Sequence, residues 1–358
     1  MSTILARHYD VEVIGCLRQG ESVISWFADY PYLVVRQNGL VETMREVERR
    51  ITGDVVLACG LSMMSFGVGL VAKRRRRLPL ILDMNEWETF DCYRQPSPFW
   101  RALEILRKLV GEGWSEAHSF KYRYVLDRLT GVADARTVAC RFLERRYAGV
   151  YLPHGADPTR FDPAGFDRAA VRRKWNLPED VMLVFFAGNP QPKKGVAEVV
   201  DAIRALHREA RLVLVGRDTS HSYTRDVFER GSDNIIMLGP QTFDRMPELL
   251  AAADLVALPQ GGEPRAQGYV PSKIYEAMAM GVPIISSTVS DMPAILDGCG
   301  YLVPPHDRIA LVAAMEHVIA HPEEARDLGR RARKRVIEQY SWDVMDCILR
   351  DVVESVAH

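Results

Sequence analysis

The sequence has 358 residues, of which 47% are hydrophobic and 26% are charged, and its formal net charge is −1. This length and composition are typical of a globular protein with two domains. The balanced charge excludes the overall basic character of many nucleic-acid-binding proteins. No apolar segment approaches the roughly 20 residues that cross a membrane. Six widely spaced cysteines favour free thiols in a cytoplasmic protein.

The N-terminal half alternates predicted strands and helices. Only ten residues precede the first recognisable strand, and a parallel crossover needs about a dozen. We therefore expect this half to begin on a helix. Strands are predicted at 11–15, 54–60, 78–84 and 136–140, and helices at 40–51, 61–74, 98–129 and 141–147.

The C-terminal half shows the same alternation more clearly. Apolar strands separated by helices indicate a parallel sheet covered on both faces, which is a doubly wound, Rossmann-like domain. A segment rich in Pro, Gly and Asp at 151–167 predicts a linker, so we expect two α/β domains that face a central cleft. Strands are predicted at 181–188, 211–216, 234–238, 254–258 and 283–287, and helices at 194–208, 244–252, 272–280, 322–339 and 342–356.

The segment FAGNPQPKKG (186–195) joins a predicted strand to a predicted helix. Gly188 ends the strand, and Lys193 and Lys194 stand at the mouth of the loop. Loop amides, a helix amino terminus and an ammonium group together favour a phosphate. A solvated lysine pair on a surface loop is the alternative, and the spacing alone leaves both open.

The segment PSKIYEAMAMGVPIISS (271–287) places a single carboxylate, Glu276, in an otherwise apolar helix. Ser272 is a candidate N-cap, and it shares one helix face with Lys273 and Glu276. A carboxylate at the ligand-binding edge of a parallel sheet can accept two hydrogen bonds from a ribose diol. A weak surface pair between Lys273 and Glu276 is the alternative. The preceding glycine-rich loop could hold a diphosphate with Arg265 and Lys273.

Five consecutive basic residues, Lys73 to Arg77, end a predicted helix. Cationic side chains are favourable at a helix carboxyl terminus, and contact with anionic lipid headgroups is the alternative. The segment 96–114 adds an apolar stripe flanked by basic residues, which is typical of a helix that lies on a membrane surface or packs on a sheet.

Several catalytic motifs are absent from the sequence. It contains no G-x-S-x-G, H-E-x-x-H, Walker loop or Asp-x-Asp, and paired carboxylates are what a metal bridging a diphosphate would require. His317 and His321 are four residues apart without the Glu of a zinc-protease helix, so we expect them on a helix surface. No metal or other cofactor is therefore expected.

Taken together, these segments resemble the GT-B glycosyltransferases of the retaining family four, also called group 1, in its P-S-K-x-x-E subgroup. The resemblance runs from about residue 4 to residue 350. It rests on ADARTVACRFLERRY (133–147), LPHGADPTRFDP (152–163), GNPQPKKG (188–195) and the segment from 271. It implies an acceptor-binding domain at 1–155, a nucleotide-sugar-binding domain at 156–340, and a C-terminal helix at 341–358 that packs back on the first domain.

The resemblance also implies roles for individual residues. Lys194 would neutralise the leaving diphosphate, Glu276 would hold the ribose hydroxyls, and amides near Val270 and Pro271 would face the phosphate or sugar. Asn85 and Glu86 would lie on the acceptor side. The donor site as a whole is predicted to comprise Gly188, Asn189, Lys193, Lys194, Arg265, Gly268, Val270, Pro271, Ser272, Lys273 and Glu276.

Four features depart from the family pattern. Asn189 replaces an Arg that follows the first glycine, Gly268 replaces a Glu eight residues before Glu276, and Asn85 stands closest to a position that often holds His. The usual first strand and its glycine-rich acceptor loop have no counterpart before residue 4, so we expect either that the sequence lacks its true start or that the N-terminal domain is abbreviated.

The resemblance implies a retaining, metal-independent, hexosyltransferase-like enzyme of polysaccharide or related biosynthesis. It would move a sugar from a nucleotide-sugar, with UDP favoured over GDP, to a glycan, lipid-linked or small-molecule acceptor. Alternatives are a catalytically weak nucleotide-sugar-binding partner protein of the same fold and a GT-B sugar-nucleotide epimerase. We expect a cytoplasmic protein that could bind the inner membrane face peripherally through Lys73–Arg77, with no nucleic-acid partner.

Overall fold

The computed structural model describes residues 1–18, 20–21, 32–90, 97, 119–206, 210–216 and 222–357. The predicted apolar stripe of segment 96–114 and most of the predicted helix 98–129 lie outside these residues. The chain forms two compact units. Unit 1 comprises residues 1–153 and 345–358, and unit 2 comprises residues 154–344. The assignment of these parts to acceptor and donor binding remains a prediction.

The described residues of unit 1 form two parallel sheets. One has the order β1-β2 and the other the order β3-β4-β5-β6. The strands are β1 (Val13–Leu17), β2 (Tyr32–Arg36), β3 (Val56–Cys59), β4 (Leu80–Met84), β5 (Ala135–Val138) and β6 (Val150–Tyr151). The helices are α1 (Ser2–Leu5), α2 (Leu40–Arg49), α3 (Val68–Arg76), α4 (Phe120–Leu129) and α5 (Arg141–Tyr147), with a π-helical turn at Met63–Gly67 before α3.

Strand β4 forms the centre of unit 1. All of its residues are buried, because helices and neighbouring strands cover it on every side. It pairs with β3 from Val56↔Leu80 to Cys59↔Asp83, and with β5 from Ile81↔Ala135 to Met84↔Val138. These parallel pairings bring the carboxyl ends of the three strands to one edge of the sheet.

Unit 2 is built on one six-stranded parallel sheet with the order β12-β11-β10-β7-β8-β9. Its strands are β7 (Met182–Ala187), β8 (Ala210–Val215), β9 (Ile235–Gly239), β10 (Leu255–Leu258), β11 (Ile284–Ser287) and β12 (Tyr301–Val303). The helices from here to the C-terminus are α6 (Arg168–Lys174), α7 (Val196–Ala205), α8 (Ser222–Arg230), α9 (Met246–Ala251), α10 (Lys273–Ala279), α11 (Met292–Ile295), α12 (Arg308–Ala320), α13 (Pro322–Gln339) and α14 (Trp342–Val356).

The order of the strands in unit 2 fixes where a ligand can bind. The chain proceeds from β7 outward through β8 and β9, and then returns to place β10 on the other side of β7. The carboxyl ends of β7 and β10 therefore form a topological switch point, which is the usual ligand-binding place of a doubly wound sheet. Residues 188–195 and 259–272 are the loops that follow these two strands.

The core of unit 2 follows from its apolar strands. Leu183, Val184, Phe185 and Phe186 of β7 are almost completely buried, as is all of β10. Full burial of such side chains contributes about 1.5–3 kcal/mol each. The buried sheet therefore supports the loops at its edge.

Most of the predicted elements are present, with ends that differ by at most three residues. The predicted helix at 61–74 begins as the π-helical turn and continues as α3. The prediction that unit 1 begins on a helix is confirmed by α1. The sequence analysis missed several elements, namely β2, β6, β12, α6, α8, α11 and α12.

Candidate functional site

Two loops at the switch point of unit 2 are tied to each other. Gly195 has a φ of +69°, and a Cβ at this position would collide with the carbonyl oxygen of Pro259. Only glycine tolerates both the left-handed conformation and this close approach. The N–H of Gly261 also donates to the carbonyl oxygen of Lys193 at 3.2 Å. The lysine loop that follows β7 is thereby held against the loop that follows β10.

The two lysines of this loop have different surroundings. Lys194 Nζ donates to the carbonyl oxygen of Asn189 at 3.0 Å, which keeps its ammonium group over the end of β7. Lys193 Nζ lies 5.1 Å from the centre of the Tyr269 ring, which is a cation–π distance. Of the two lysines, Lys194 therefore has its ammonium group beside the predicted phosphate-binding turn.

Glu276 is a buried carboxylate in the first turn of α10. The residue is 6% exposed, and its Oε1 accepts a hydrogen bond from Lys273 Nζ at 3.1 Å. Its other oxygen, Oε2, is buried and has no hydrogen-bond partner among the described residues. Burial raises the pKa of Glu276 above the usual value for Glu, although the charge of Lys273 opposes the increase. The Lys273–Glu276 pair exists, but it is not the weak surface pair considered as the alternative.

Helix α13 holds α10 in place from behind. Arg333 donates to the carbonyl oxygens of Ala279 and Phe161, so it satisfies one of the free carbonyls at the end of α10. Gly329 lies against the carbonyl oxygen of Gly281, where a Cβ would not fit. The position of Glu276 is thus set by a helix that lies some fifty residues later in the sequence.

Among the remaining predicted donor-site residues, Gly188 directly follows β7, and the others lie between β10 and α10. Arg265 and Gly268 belong to a short 3₁₀ helix at Pro264–Gly268, and Val270 is completely buried just before Pro271. Ser272 occupies the N-cap position, but its side chain makes no capping hydrogen bond and its backbone is already helical. Ser272 therefore stands at the predicted N-cap position but does not cap the helix through its side chain.

The sequence analysis missed Gln260, which lies at the switch point two residues after β10. Gln260 is 2% exposed, and neither its side-chain nitrogen nor its oxygen has a partner among the described residues. Burying an amide without hydrogen bonds is costly. Its position directly after a predicted strand was the only signal in the sequence that could have identified it.

Unit 1 has a second polar cluster at the carboxyl ends of its strands. Asp83, near the end of β4, is 1% exposed and accepts hydrogen bonds from Thr137 Oγ1 at 2.7 Å and from Asn85 Nδ2 at 2.8 Å. Burial raises its pKa, and these two hydrogen bonds oppose the increase. The half-buried Asn85 and Glu86 follow at the same edge. The sequence analysis named Asn85 and Glu86 but missed Asp83.

A cavity of about 1160 Å³ lies elsewhere in unit 2. Met182, Asp254 and Pro283 line it at the amino ends of β7, β10 and β11, together with Arg168 and Arg172. It is at the opposite edge of the sheet from the lysine loop, and we assign it no part in the donor site.

The described residues contain no group of three His, Cys, Asp or Glu side chains that could hold a metal ion. Among the described helices, none is both long and apolar enough to span a bilayer. The described cysteines are free thiols, as the sequence predicted.

Comparisons with known proteins connect this geometry to a family. Residues 182–321 match the family model described as glycosyl transferases group 1. The chain is 27% identical to a GDP-mannose-dependent monoacylated alpha-(1-6)-phosphatidylinositol monomannoside mannosyltransferase of Corynebacterium glutamicum, over 68% of this chain and 67% of that protein. It is 32% identical to a D-inositol 3-phosphate glycosyltransferase of Nocardia farcinica, over 81% of this chain and 64% of that protein. The chain spans about half the length of other D-inositol 3-phosphate glycosyltransferases that it matches.

Solved structures support the fold. HepE of Anabaena, solved in complex with UDP-glucose, superposes with a TM-score of 0.72 at 16% identity, and the match covers 96% of this chain and 99% of that one. The predicted α/β fold of the GT-B type is confirmed.

Proposed function

We propose that this chain, whose residues 182–321 match the group 1 glycosyl transferases and which has the GT-B fold, transfers a sugar from a nucleotide-sugar to an acceptor hydroxyl. The donor binds at the carboxyl edge of the unit 2 sheet. The lysine loop after β7 takes the diphosphate, and the first turn of α10 takes the ribose.

One observation carries this proposal. Glu276 is buried at the ligand-binding edge, and its Oε2 has no partner among the described residues. An unpaired buried carboxylate oxygen costs stability, so its presence is best explained by a ligand that donates to it. A ribose diol is such a ligand, because it offers two neighbouring hydroxyl donors to one carboxylate.

Lys194 supplies the complementary charge. Negative charge builds up on the diphosphate as the bond to the sugar breaks, and a fixed ammonium group stabilises that charge in the transition state. Asn189 contributes its carbonyl oxygen to the position of this ammonium group, while its side chain adds no positive charge where the family has Arg. Lys193, Arg265 and Lys273 are the other cations of the two loops. With this set of cations we propose a metal-independent transfer, and retention at the anomeric carbon is proposed from the resemblance to the retaining family alone.

The relatives suggest which donors and acceptors to try first. One relative is named for GDP-mannose and others for D-inositol 3-phosphate, and HepE was solved with UDP-glucose. We propose a hexose donor, with UDP or GDP as the nucleotide, and a polyol or lipid-linked polyol as the acceptor. A panel of UDP- and GDP-hexoses with D-inositol 3-phosphate is the first assay.

The test is release of UDP or GDP, measured with each nucleotide-sugar in the presence of the acceptor, together with calorimetric binding of the free nucleotides. We expect release with one donor, and its loss in Glu276→Ala and Lys194→Ala. Nucleotide binding without release from any donor would reject glycosyl transfer. Unchanged nucleotide affinity in both variants would reject the site.

A nucleotide-sugar-binding protein with weak or no turnover is the second candidate. Two residues favour this candidate. Asn189 stands where the family pattern has an Arg, and Gly268 stands where it has a Glu. The same assay decides between the two candidates. A sugar-nucleotide epimerase would instead convert the donor into its epimer without nucleotide release, which chromatography of the donor would reveal.

We further propose that the protein binds anionic membranes peripherally from the cytoplasm. Of the five basic residues, Lys73 pairs with Asp134 and Arg76 donates to the carbonyl oxygen of Ile51, so these two hold α3 in unit 1. Arg74, Arg75 and Arg77 are exposed and are the ones that would meet lipid headgroups. Replacing these three with Gln should reduce co-sedimentation with vesicles that contain phosphatidylglycerol. Equal recovery with the vesicles before and after the replacement would reject membrane binding.

A further inference from the structure

Both oxygens of the Asp83 carboxylate accept hydrogen bonds from protein groups. Its Oδ1 accepts from Thr137 Oγ1 at 2.7 Å, and its Oδ2 accepts from Asn85 Nδ2 at 2.8 Å. An ionised carboxylate can only accept hydrogen bonds. Asn85 therefore turns its NH₂ group toward Asp83, and its amide oxygen points away. This assignment of the amide follows from the hydrogen-bond network.

The loop that carries Asn85 is fixed by the residues that follow. Trp87 is buried, the carboxylate of Glu88 accepts from the N–H of Leu61 at 2.8 Å, and Thr89 Oγ1 donates to Asp127 at 3.1 Å. Three consecutive residues thus pin the loop to unit 1. Asn85 is half-buried at the carboxyl edge of the sheet, where α/β proteins bind ligands.

The orientation of the amide determines what Asn85 can recognise. The amide oxygen, which is not the atom bonded to Asp83, is a neutral hydrogen-bond acceptor, so it suits a hydroxyl group and not a carbonyl or a phosphate oxygen. An amide is not a base at ordinary pH, so Asn85 can orient a hydroxyl without removing its proton.

We propose that Asp83 is a positioning residue, which fixes Asn85 so that the Asn85 amide oxygen accepts a hydrogen bond from a hydroxyl of the acceptor substrate. This inference rests on the proposed glycosyl transfer, because only that reaction requires an acceptor hydroxyl. A purely structural role for Asp83 would also explain its burial, and the two roles make different predictions.

The first test measures the orientation directly. The side-chain NH₂ signal of Asn85 is observed by NMR in the full chain labelled with ¹⁵N-asparagine, and Asn85→Ala identifies it. We expect slow hydrogen exchange in the native protein and faster exchange in Asp83→Asn, in which the neutral side chain no longer requires an NH₂ group opposite it. Unchanged exchange in Asp83→Asn would overturn the proposal.

The matched control is Asp134→Asn. Asp134 accepts from the N–H of Leu80 at 2.8 Å at the other end of β4, so this variant also removes a carboxylate that anchors the strand. We expect Asp134→Asn to lower thermal stability and to leave the Asn85 signal unchanged. If the Asn85 signal changed as much in Asp134→Asn as in Asp83→Asn, the signal would report only a loosening of β4. That result would overturn the proposal.

The second test is a double-mutant cycle on the kinetics. Nucleotide release is measured with D-inositol 3-phosphate and, without it, with water as the acceptor. We expect Asn85→Ala to reduce transfer about tenfold, as the loss of a hydrogen bond implies, with the donor KM unchanged. Asp83→Asn should also reduce transfer. The double variant should transfer no more slowly than Asn85→Ala, because Asp83 acts through Asn85.

Additive effects of the two substitutions, or an increase in the donor KM, would overturn the proposal. Absence of release by the native protein with every donor would reject the proposed function and the acceptor role of Asn85 with it. The NMR measurement would still decide whether Asp83 orients the amide, so the two failures are distinguishable.

Discussion

Two buried carboxylates at the carboxyl edges of the two units differ in one respect. Asp83 is 1% exposed and both of its oxygens accept hydrogen bonds from protein groups, whereas Glu276 is 6% exposed and its Oε2 has no partner among the described residues. Burial raises the pKa of both. Both Asp83 oxygens are thus paired within the protein, whereas Glu276 Oε2 is open to a ligand that donates a hydrogen bond. Exposure alone would not separate these two roles.

The largest expected effect is on nucleotide affinity in Glu276→Gln. The neutral amide keeps the shape of the side chain but loses a charge-assisted acceptor, which is worth about 1.5–3 kcal/mol, so UDP or GDP should bind about 10- to 100-fold more weakly by calorimetry. The melting temperature should not fall, because an ionised buried carboxylate with a raised pKa opposes folding at neutral pH. A fall of several degrees with unchanged affinity would assign Glu276 the structural role of Asp83.

The opposite pattern is expected for Thr137→Val. This substitution leaves the buried Asp83 Oδ1 without its donor, which should lower the free energy of unfolding by about 1–3 kcal/mol in urea titrations. Nucleotide affinity should remain at the native value, since Thr137 belongs to unit 1. If Thr137→Val weakened nucleotide binding as strongly as Glu276→Gln, the distinction between the two carboxylates would fail.

A smaller effect is expected from Lys194→Ala. Its ammonium group is held beside the end of β7 by the carbonyl oxygen of Asn189, and its loss should weaken nucleotide diphosphate binding about tenfold, or about 1.4 kcal/mol. Lys193→Ala is the matched control, because that side chain lies against Tyr269 and should matter less. Calorimetry that compares UDP with UMP, or GDP with GMP, tests whether the lost affinity belongs to the diphosphate. Equal losses for the two lysines would refute the difference in their roles.

The smallest expected effect is the pH dependence of nucleotide binding. The pKa of Glu276 is raised, so its carboxylate takes up a proton at a higher pH than an ordinary Glu, and affinity should decline as the pH falls through that value. By linkage, the free energy of unfolding falls as the pH rises through the same raised pKa. Glu276→Gln should abolish both dependences. Titrations that keep the native slope in this variant would show that another group is responsible.

Part of the fold could be predicted because its signals are local. The strands β7 and β10 are continuous apolar runs, which is how strands buried on both faces appear in a sequence. The missed strands β6 and β12 have two and three residues, too few to show a pattern. Helix α12 was missed because its residues are apolar on nearly every side, so that no amphipathic periodicity marks it.

Part of the site could be predicted for the same reason. Lys194 and Glu276 stand at fixed distances from predicted strand ends and helix starts. Asp83 and Gln260 could not be found in this way. The partner Thr137 lies 54 residues beyond Asp83, and the burial of Gln260 depends on how the loops after β7 and β10 close on each other.

The sequence by itself determined that this chain forms α/β units and where its phosphate-binding turn and its lone helical carboxylate lie, because these depend on neighbouring residues and on their periodicity. Only the tertiary structure decided which carboxylate is satisfied. Hydrogen-bond partners and burial come from strands and helices distant in the chain, as when α13 holds α10 or Thr137 of β5 meets Asp83 of β4. That assembly makes Glu276 a candidate ligand for ribose and Asp83 a support for Asn85.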